Sequence, residues 1–250
     1  MSYPDATAIE ESPKGMGEFS RLTGVFFEPT KTFTDIAARP RWVFPMLLII
    51  LAGIVYIALF SQHVGWDRML RQQFAASSRS AQLTPEQRDQ QLAAGEKFAP
   101  VIGYAGTIFG IPIAFLIIAG VLTGIVAGIM SAPVRFKQVF AIQCYASLTG
   151  LVFMALAITV MFLKNPDDFD LRNPLMFNPG AFMDPLTTSK FVYSLAGALD
   201  LFAIWKMVLI AVGLKAAAGK ALSFGGALVA VFLPWGIFVL CAAALAGIFS

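Results

Sequence analysis

Charge is what this sequence has least of. Only 13% of its 250 residues are Asp, Glu, Lys or Arg, where a soluble domain carries about 25%. With 58% hydrophobic residues and a mean hydropathy of +0.74, that shortfall excludes an ordinary soluble domain and places the chain among membrane proteins. Histidine occurs once, as His63, and cysteine twice, as Cys144 and Cys241, with no C-x-x-C spacing. One imidazole and two distant thiols cannot build a structural zinc site, so both thiols read as small buried hydrophobes and no metal or other cofactor is expected. Asp167, Asp168 and Asp170 lack the D-x-D-x-D-G spacing of a calcium loop and read as solvated turn residues. No basic stripe with interleaved aromatics accompanies the net charge of +3, which excludes nucleic acid as a partner. H-E-x-x-H, a Gly-Lys-Ser/Thr loop and a Ser-His-Asp set are all missing, so an enzyme is not expected. The first long apolar run starts only at Val43, which reads as the absence of a cleavable signal peptide.

What is present is a series of apolar runs at 43–60, 101–130, 138–163, 191–213 and 224–249. Crossing a bilayer takes about 20 such residues as a helix. The expected fold is an all-α membrane protein: a five-helix transmembrane bundle with short amphipathic surface helices over 19–250, preceded by a disordered cytosolic tail at 1–18. Arg135, Lys137, Lys215 and Lys220 mark short loops without acids, which puts those loops and the N-terminus in the cytosol.

Three stretches add detail. Pro29 suits the first turn of a helix and Pro40 stops it at Arg39. Such a helix either lies on the membrane surface, anchored by Phe26, Phe27, Phe33, Ile36 and Trp42, or packs under the bundle as a cytosolic helix. Between the first two spans, Trp66, Leu70 and Phe74 form one helical stripe, and Thr84-Pro85-Glu86-Gln87 is a helix start with Thr84 as N-cap and Gln87 closing a capping box. In the second run Pro112 predicts a kink, and Gly106 and Gly110, then Gly120, Gly124 and Gly128, recur every four residues. This spacing lets a neighbouring helix approach closely; we expect packing within the chain, in preference to a dimer face or a moving helix.

The fourth run, FVYSLAGALDLFAIWKMVLIAVGLK, holds Asp200 and Lys206. An ionised group in hydrocarbon costs about 3 to above 10 kcal/mol, so each needs a partner, water or a task. On one continuous helix the two side chains stand roughly 120° and ~9 Å apart, which sends each to another helix. Counting depths along antiparallel spans pairs Lys206 with Gln143 and Asp200 with Thr149 as a candidate intramembrane polar network. The alternative, which we favour, is that Lys206 snorkels to the headgroups and Asp200 carries a proton.

GVFFEPTKTFTDIAARPRWVFPMLLIIL resembles the start of the Yip family, the Ypt/Rab-interacting multi-pass membrane proteins, in its bacterial branch. LDLFAIWKMVLIAVGLKAAAGKALSFGGALVAVFLPW is similar to that family's late I-W-x-x-x-L-x-x-x-G-L stretch and last helix. The resemblance covers nearly the whole chain from Phe19 on. It implies a five-helix domain with a cytosolic N-terminus, here in a bacterial cytoplasmic (inner) membrane. It also implies partners among membrane proteins or further copies of the chain. The D-L-Y-G-P motif of eukaryotic relatives is missing, which makes a Rab-type GTPase partner doubtful. The expected function is a non-enzymatic membrane scaffold or adaptor in membrane organisation or trafficking-like processes, with the lipid bilayer itself a partner. The alternative is a small-solute or ion transporter or channel using Asp200 and Lys206.

Overall fold

The computed structural model describes residues 15–75, 83–170 and 173–248, and among these it is helical with no strand. Most of the expected tail lies outside the described residues. Irregular chain from Gly15 leads into α1 (Glu18–Phe27), and α2 (Pro29–Ala38) follows after a single residue. Pro29 opens α2 because a first-turn residue needs no N–H partner, and the helix closes at Arg39, before Pro40. The two helices fold back on one another as a hairpin. A Cβ on Gly24 would lie 2.3 Å from Thr32 Oγ1, so only glycine permits this approach.

Among the described residues five helical segments are long and apolar enough to cross a membrane: Val43–His63, Pro85–Ile129, Phe136–Leu163, Leu201–Ala221 and Phe224–Ile248. The first is α3 (Val43–His63). After it α4 (Trp66–Ala75) lies along α5 (Pro85–Ala105), with Leu70 over Gly95 and Trp66 over Gly103. Thr84 caps α5, and Gln87 returns the bond to the Thr84 N–H, as the capping box requires. At ~1.5 Å per residue the helix running from Pro85 to Ile129 is about 67 Å long, over twice the hydrocarbon thickness. Its first turns, with Glu86, Arg88, Asp89, Glu96 and Lys97, therefore stand clear of lipid.

Pro112 does not end that helix. It lies in the first turn of α6 (Ile111–Thr123), directly after a π-helical stretch at Gly106–Gly110. Its ring denies the Ile108 carbonyl an α-helical partner, and one wider turn absorbs the defect. A second π stretch, Gly124–Ile129, ends the segment.

The third apolar segment is α7 (Phe136–Ala146) and α8 (Thr149–Leu163), joined through a turn at Ser147–Leu148. Every residue from Gln138 to Thr149 is buried. That is what an axial helix requires, and α7 touches α1, α2, α3, α6 and α10. The main core surrounds it, drawing Phe33 and Ile36 from α2, Phe115 and Leu122 from α6, and Ile210 and Leu214 from α10. A smaller core at the opposite end joins Phe60, Val64, Met161 and Phe169.

The fourth apolar run is not one helix. It breaks into α9 (Lys190–Ala198) and α10 (Leu201–Ala218), with Leu199 and Asp200 outside helical geometry. Gly219, at φ +60°, turns the chain out of α10 in a conformation that suits glycine. α11 (Phe224–Ile248) completes the bundle. Residues such as Leu47, Leu51 and Val55 on α3 and Leu233, Ile237 and Leu240 on α11 are exposed, an apolar outer surface that suits lipid. Cys241 belongs to that outer surface, so only Cys144 is the buried thiol expected of both.

Candidate functional site

The hairpin of α1 and α2 carries the densest polar cluster of the described residues. Arg21 sits on the buried face of α1 beside Gly24 and Val25, only 1% exposed. Its Nη2 lies 2.6 Å from Asp35 Oδ2 on α2, and its Nε donates to the same oxygen at 2.7 Å, a two-pronged pair. The other Asp35 oxygen accepts from Arg39 and from the Met16 backbone N–H. Burial pushes the Asp35 carboxyl up, but the bonds from Arg21, Met16 and Arg39 outweigh it and hold its pKa below the ordinary value. Burial also works against the Arg21 charge, yet bonding to Tyr145 and Asp35 raises its pKa.

Two more contacts tie the hairpin to α7. The Tyr145 hydroxyl donates to Glu18, and Gln138 Nε2 donates to the Ala37 carbonyl at 2.9 Å. Apolar contacts run along α10. Phe33 and Ile142 both close on Gly213, and Phe26 meets Trp205 edge-on at 5.6 Å between centroids. The hairpin is thus seated on α7 and α10 by hydrogen bonds at Glu18 and Ala37 and by rings between them.

This placement decides between the two expectations for the helix. Phe33 and Ile36 are 0% exposed and cannot anchor it on a membrane surface, because their side chains are part of the bundle core. Phe26 is half-buried against Trp205, and Trp42 meets Phe140 at 5.2 Å. Of the expected anchors only Phe27 keeps an open ring, at 84% exposure, and Phe19 on the same helix matches it at 80%.

The expected intramembrane network does not assemble. Asp200 is the N-cap of α10, and one of its oxygens accepts from the Phe202 and Ala203 N–H groups at 2.9 and 3.1 Å. Because it precedes the helix, it is not fixed 120° from Lys206, and the two charges attract without closing an ion pair. Thr149 bonds back to the Ala146 carbonyl instead of reaching Asp200. Gln143 is 0% exposed, and neither its amide oxygen nor its nitrogen has a protein partner, Lys206 included. Ser147, one turn on, is likewise buried and unpartnered.

Gly106, Gly110, Gly120, Gly124 and Gly128 are all exposed, and nothing lies within 4 Å of a Cβ built on any of them. The expectation that they pack within the chain is corrected. This helix turns Phe115, Ala119, Leu122 and Val126 inward, leaving the glycines outside. Close approaches are made by other glycines: a Cβ on Gly53 would lie 2.7 Å from Thr107 Cγ2, and one on Gly213 would lie 2.3 Å from Ile142 Cγ2.

The break before α10 lies at the N-terminal end of that helix, away from the Gly213 seat of Phe33. A cavity of about 190 Å³ there is lined by Phe153, Asn173, Phe177, Asn178, Gly197 and Asp200 among others. The Phe177 carbonyl accepts from Leu201 N–H, and Asn178 donates to Asn173 Oδ1 at 2.9 Å. Among the described residues no group of three His, Cys, Asp or Glu could hold a metal. His63 packs its ring on Phe162 at 4.5 Å.

Sequence reasoning missed Glu18, Arg21, Asp35, Arg39, Gln138 and Tyr145. One signal was available: Arg21 shares a helical face with Gly24 and Val25, and a cation on an apolar face demands an acid nearby.

The sequence profile of the Yip1 domain matches residues 23–245. A Bacillus subtilis (strain 168) protein named membrane protein YknW is 25% identical over 213 residues, covering 85% of either chain. No solved structure matches.

Proposed function

Since this chain belongs to the Yip1 domain family, we propose that it is a non-enzymatic membrane scaffold or adaptor, lodged in a bacterial inner membrane with its N-terminus in the cytosol. The seated hairpin carries this reading. Its inner face is locked by the Arg21–Asp35 pair while its outer face offers Phe19, Phe27 and the exposed Lys31–Glu28 pair. A rigid, ordered surface suits recruitment, because little conformational freedom is lost on docking. Its partner is another membrane protein or a second copy of the chain. A Rab-type GTPase is not proposed, since D-L-Y-G-P is missing. A photo-crosslinker at Phe27 in intact membranes should capture the same protein repeatedly and lose it when placed instead at buried Phe33. Capture of lipid alone from both sites refutes recruitment by this face.

A second reading, ion or small-solute transport, draws on the broken fourth segment and its cavity, since interrupted helices hold substrate in many transporters. Asp200→Asn separates the two. Asn caps a helix as well as Asp does, so the fold survives the loss of charge. The scaffold reading expects no flux in vesicles from either protein and an unchanged partner. Flux that vanishes with Asp200→Asn replaces it with transport.

A further inference from the structure

The corner where α3 and α7 begin gathers cations around an aromatic stack. Gln138 pins the end of α2 to the first turn of α7 through the Ala37 carbonyl, which lays 39–42 across the start of α7. There Trp42 meets Phe140 edge-on at 5.2 Å, and Phe136 stacks on Phe140 at 5.9 Å and 12°. Arg41 precedes Trp42, and Arg135 and Lys137 flank Phe136.

These cations lack matching acids. Arg41, 72% exposed, reaches Glu18 only at 3.7 Å, and Glu18 is shared with Arg21 and with the Tyr145 hydroxyl. Arg135 and Lys137 are exposed and form no ion pair among the described residues. Glu28 is engaged by Lys31. The corner is therefore a positive surface beside half-open aromatic rings, with Trp42 36% and Phe136 42% exposed.

Its height in the bundle suggests the occupant. Both α3 and α7 turn apolar here, so this is where headgroups meet acyl chains, the depth at which Trp and Arg accumulate. Just inside it Val43, Phe44 and Leu47 are exposed along α3, an apolar track continuous with the corner. A free anion would use the cations and leave the track unused. We propose that Arg41, Arg135 and Lys137 bind the phosphate of an anionic phospholipid, whose acyl chains lie along Val43, Phe44 and Leu47. Guanidinium groups suit a phosphate because two N–H donors match two oxygens. A zwitterionic phospholipid brings its own cation to the same place and loses that advantage.

Native mass spectrometry of the full chain, released from detergent with added phosphatidylglycerol or phosphatidylcholine, tests this. Phosphatidylglycerol should be retained in preference. Arg135→Gln with Lys137→Gln should weaken that preference about thirtyfold, at roughly fivefold per cation near a membrane surface. Lys215→Gln with Lys220→Gln, on the same side of the bundle, should leave it intact, and Arg135→Lys with Lys137→Arg should retain most of it. Equal retention of the two lipids overturns the proposal. So does equal loss in both glutamine pairs, which would mean a diffuse charge effect, and so does displacement by millimolar inorganic phosphate, which would mean a free-anion site.

Discussion

Arg21 shows how a single side chain organises the N-terminal third. Removing one member of a buried ion pair strands the other, which costs about 3–5 kcal/mol, whereas replacing both by apolar groups is often neutral. Arg21→Met alone should therefore unseat the hairpin, and Arg21→Met with Asp35→Leu should restore much of the lost thermal stability in detergent. A double variant as unstable as the single would deny that stranded charge is the cause. The pH dependence has a definite sign. Asp35 is depressed when folded, so its contribution is complete above the unfolded value of about 3.9 and is lost as pH falls through the lower folded value. Seating, followed by Trp205 fluorescence, should be flat between about pH 5 and 8 and decline only below about 4. This cluster was barely legible in the sequence. Arg21 and Asp35 are local, but Tyr145 lies over a hundred residues away, and no periodicity reports a contact of that range.

Among elements, the second and fourth apolar segments teach opposite lessons. The regularly spaced glycines of the second segment face outward, while Gly213, outside any such pattern, is closely approached by Ile142 and Phe33. Spacing reveals that small residues share a face; only the apolar residues on the other faces say which one turns inward. Gly213→Ala should cost about 1–3 kcal/mol by overpacking, a cost that shrinks when Ile142, whose Cγ2 meets the new methyl, is cut back to Ala in the same molecule. Gly120→Ala, in open space within α6, should gain up to about 1 kcal/mol of helix propensity. A destabilised Gly120→Ala would mean that something outside the chain covers that face. The break at Asp200 escaped a hydropathy reading for a related reason. Hydropathy averages over a window and cannot tell an acid inside a helix from one that starts it. Asp200→Ala should loosen α10 by about 0.5–2 kcal/mol where Asp200→Asn does not, read as thermal stability.

At the scale of the molecule the five-span, all-helical architecture was legible, because length and apolarity alone demand it, and so was the Thr84 capping box, a purely local signal. Which way the bundle points rests on loop charge. We expect Leu186→Cys, on the exposed loop before α9, to react with an impermeant maleimide outside intact cells, and Ala221→Cys not to, with Cys241 replaced in both. Reversed labelling would put the hairpin outside. Gly180 is unsuitable for such a probe, since a Cβ there would lie 2.8 Å from the Gly197 backbone. The seated hairpin finally bears on how the protein is made. Phe33 and Ile36 leave the ribosome roughly 180 residues before the Gly213 groove that receives Phe33. At about 5–20 residues per second the hairpin waits roughly ten to thirty-five seconds for its seat. Through that interval the Arg21–Asp35 pair, local in sequence, is complete while two core side chains have no core, so a nascent chain halted before α10 presents the membrane-insertion and chaperone machinery with a paired but unhoused hairpin.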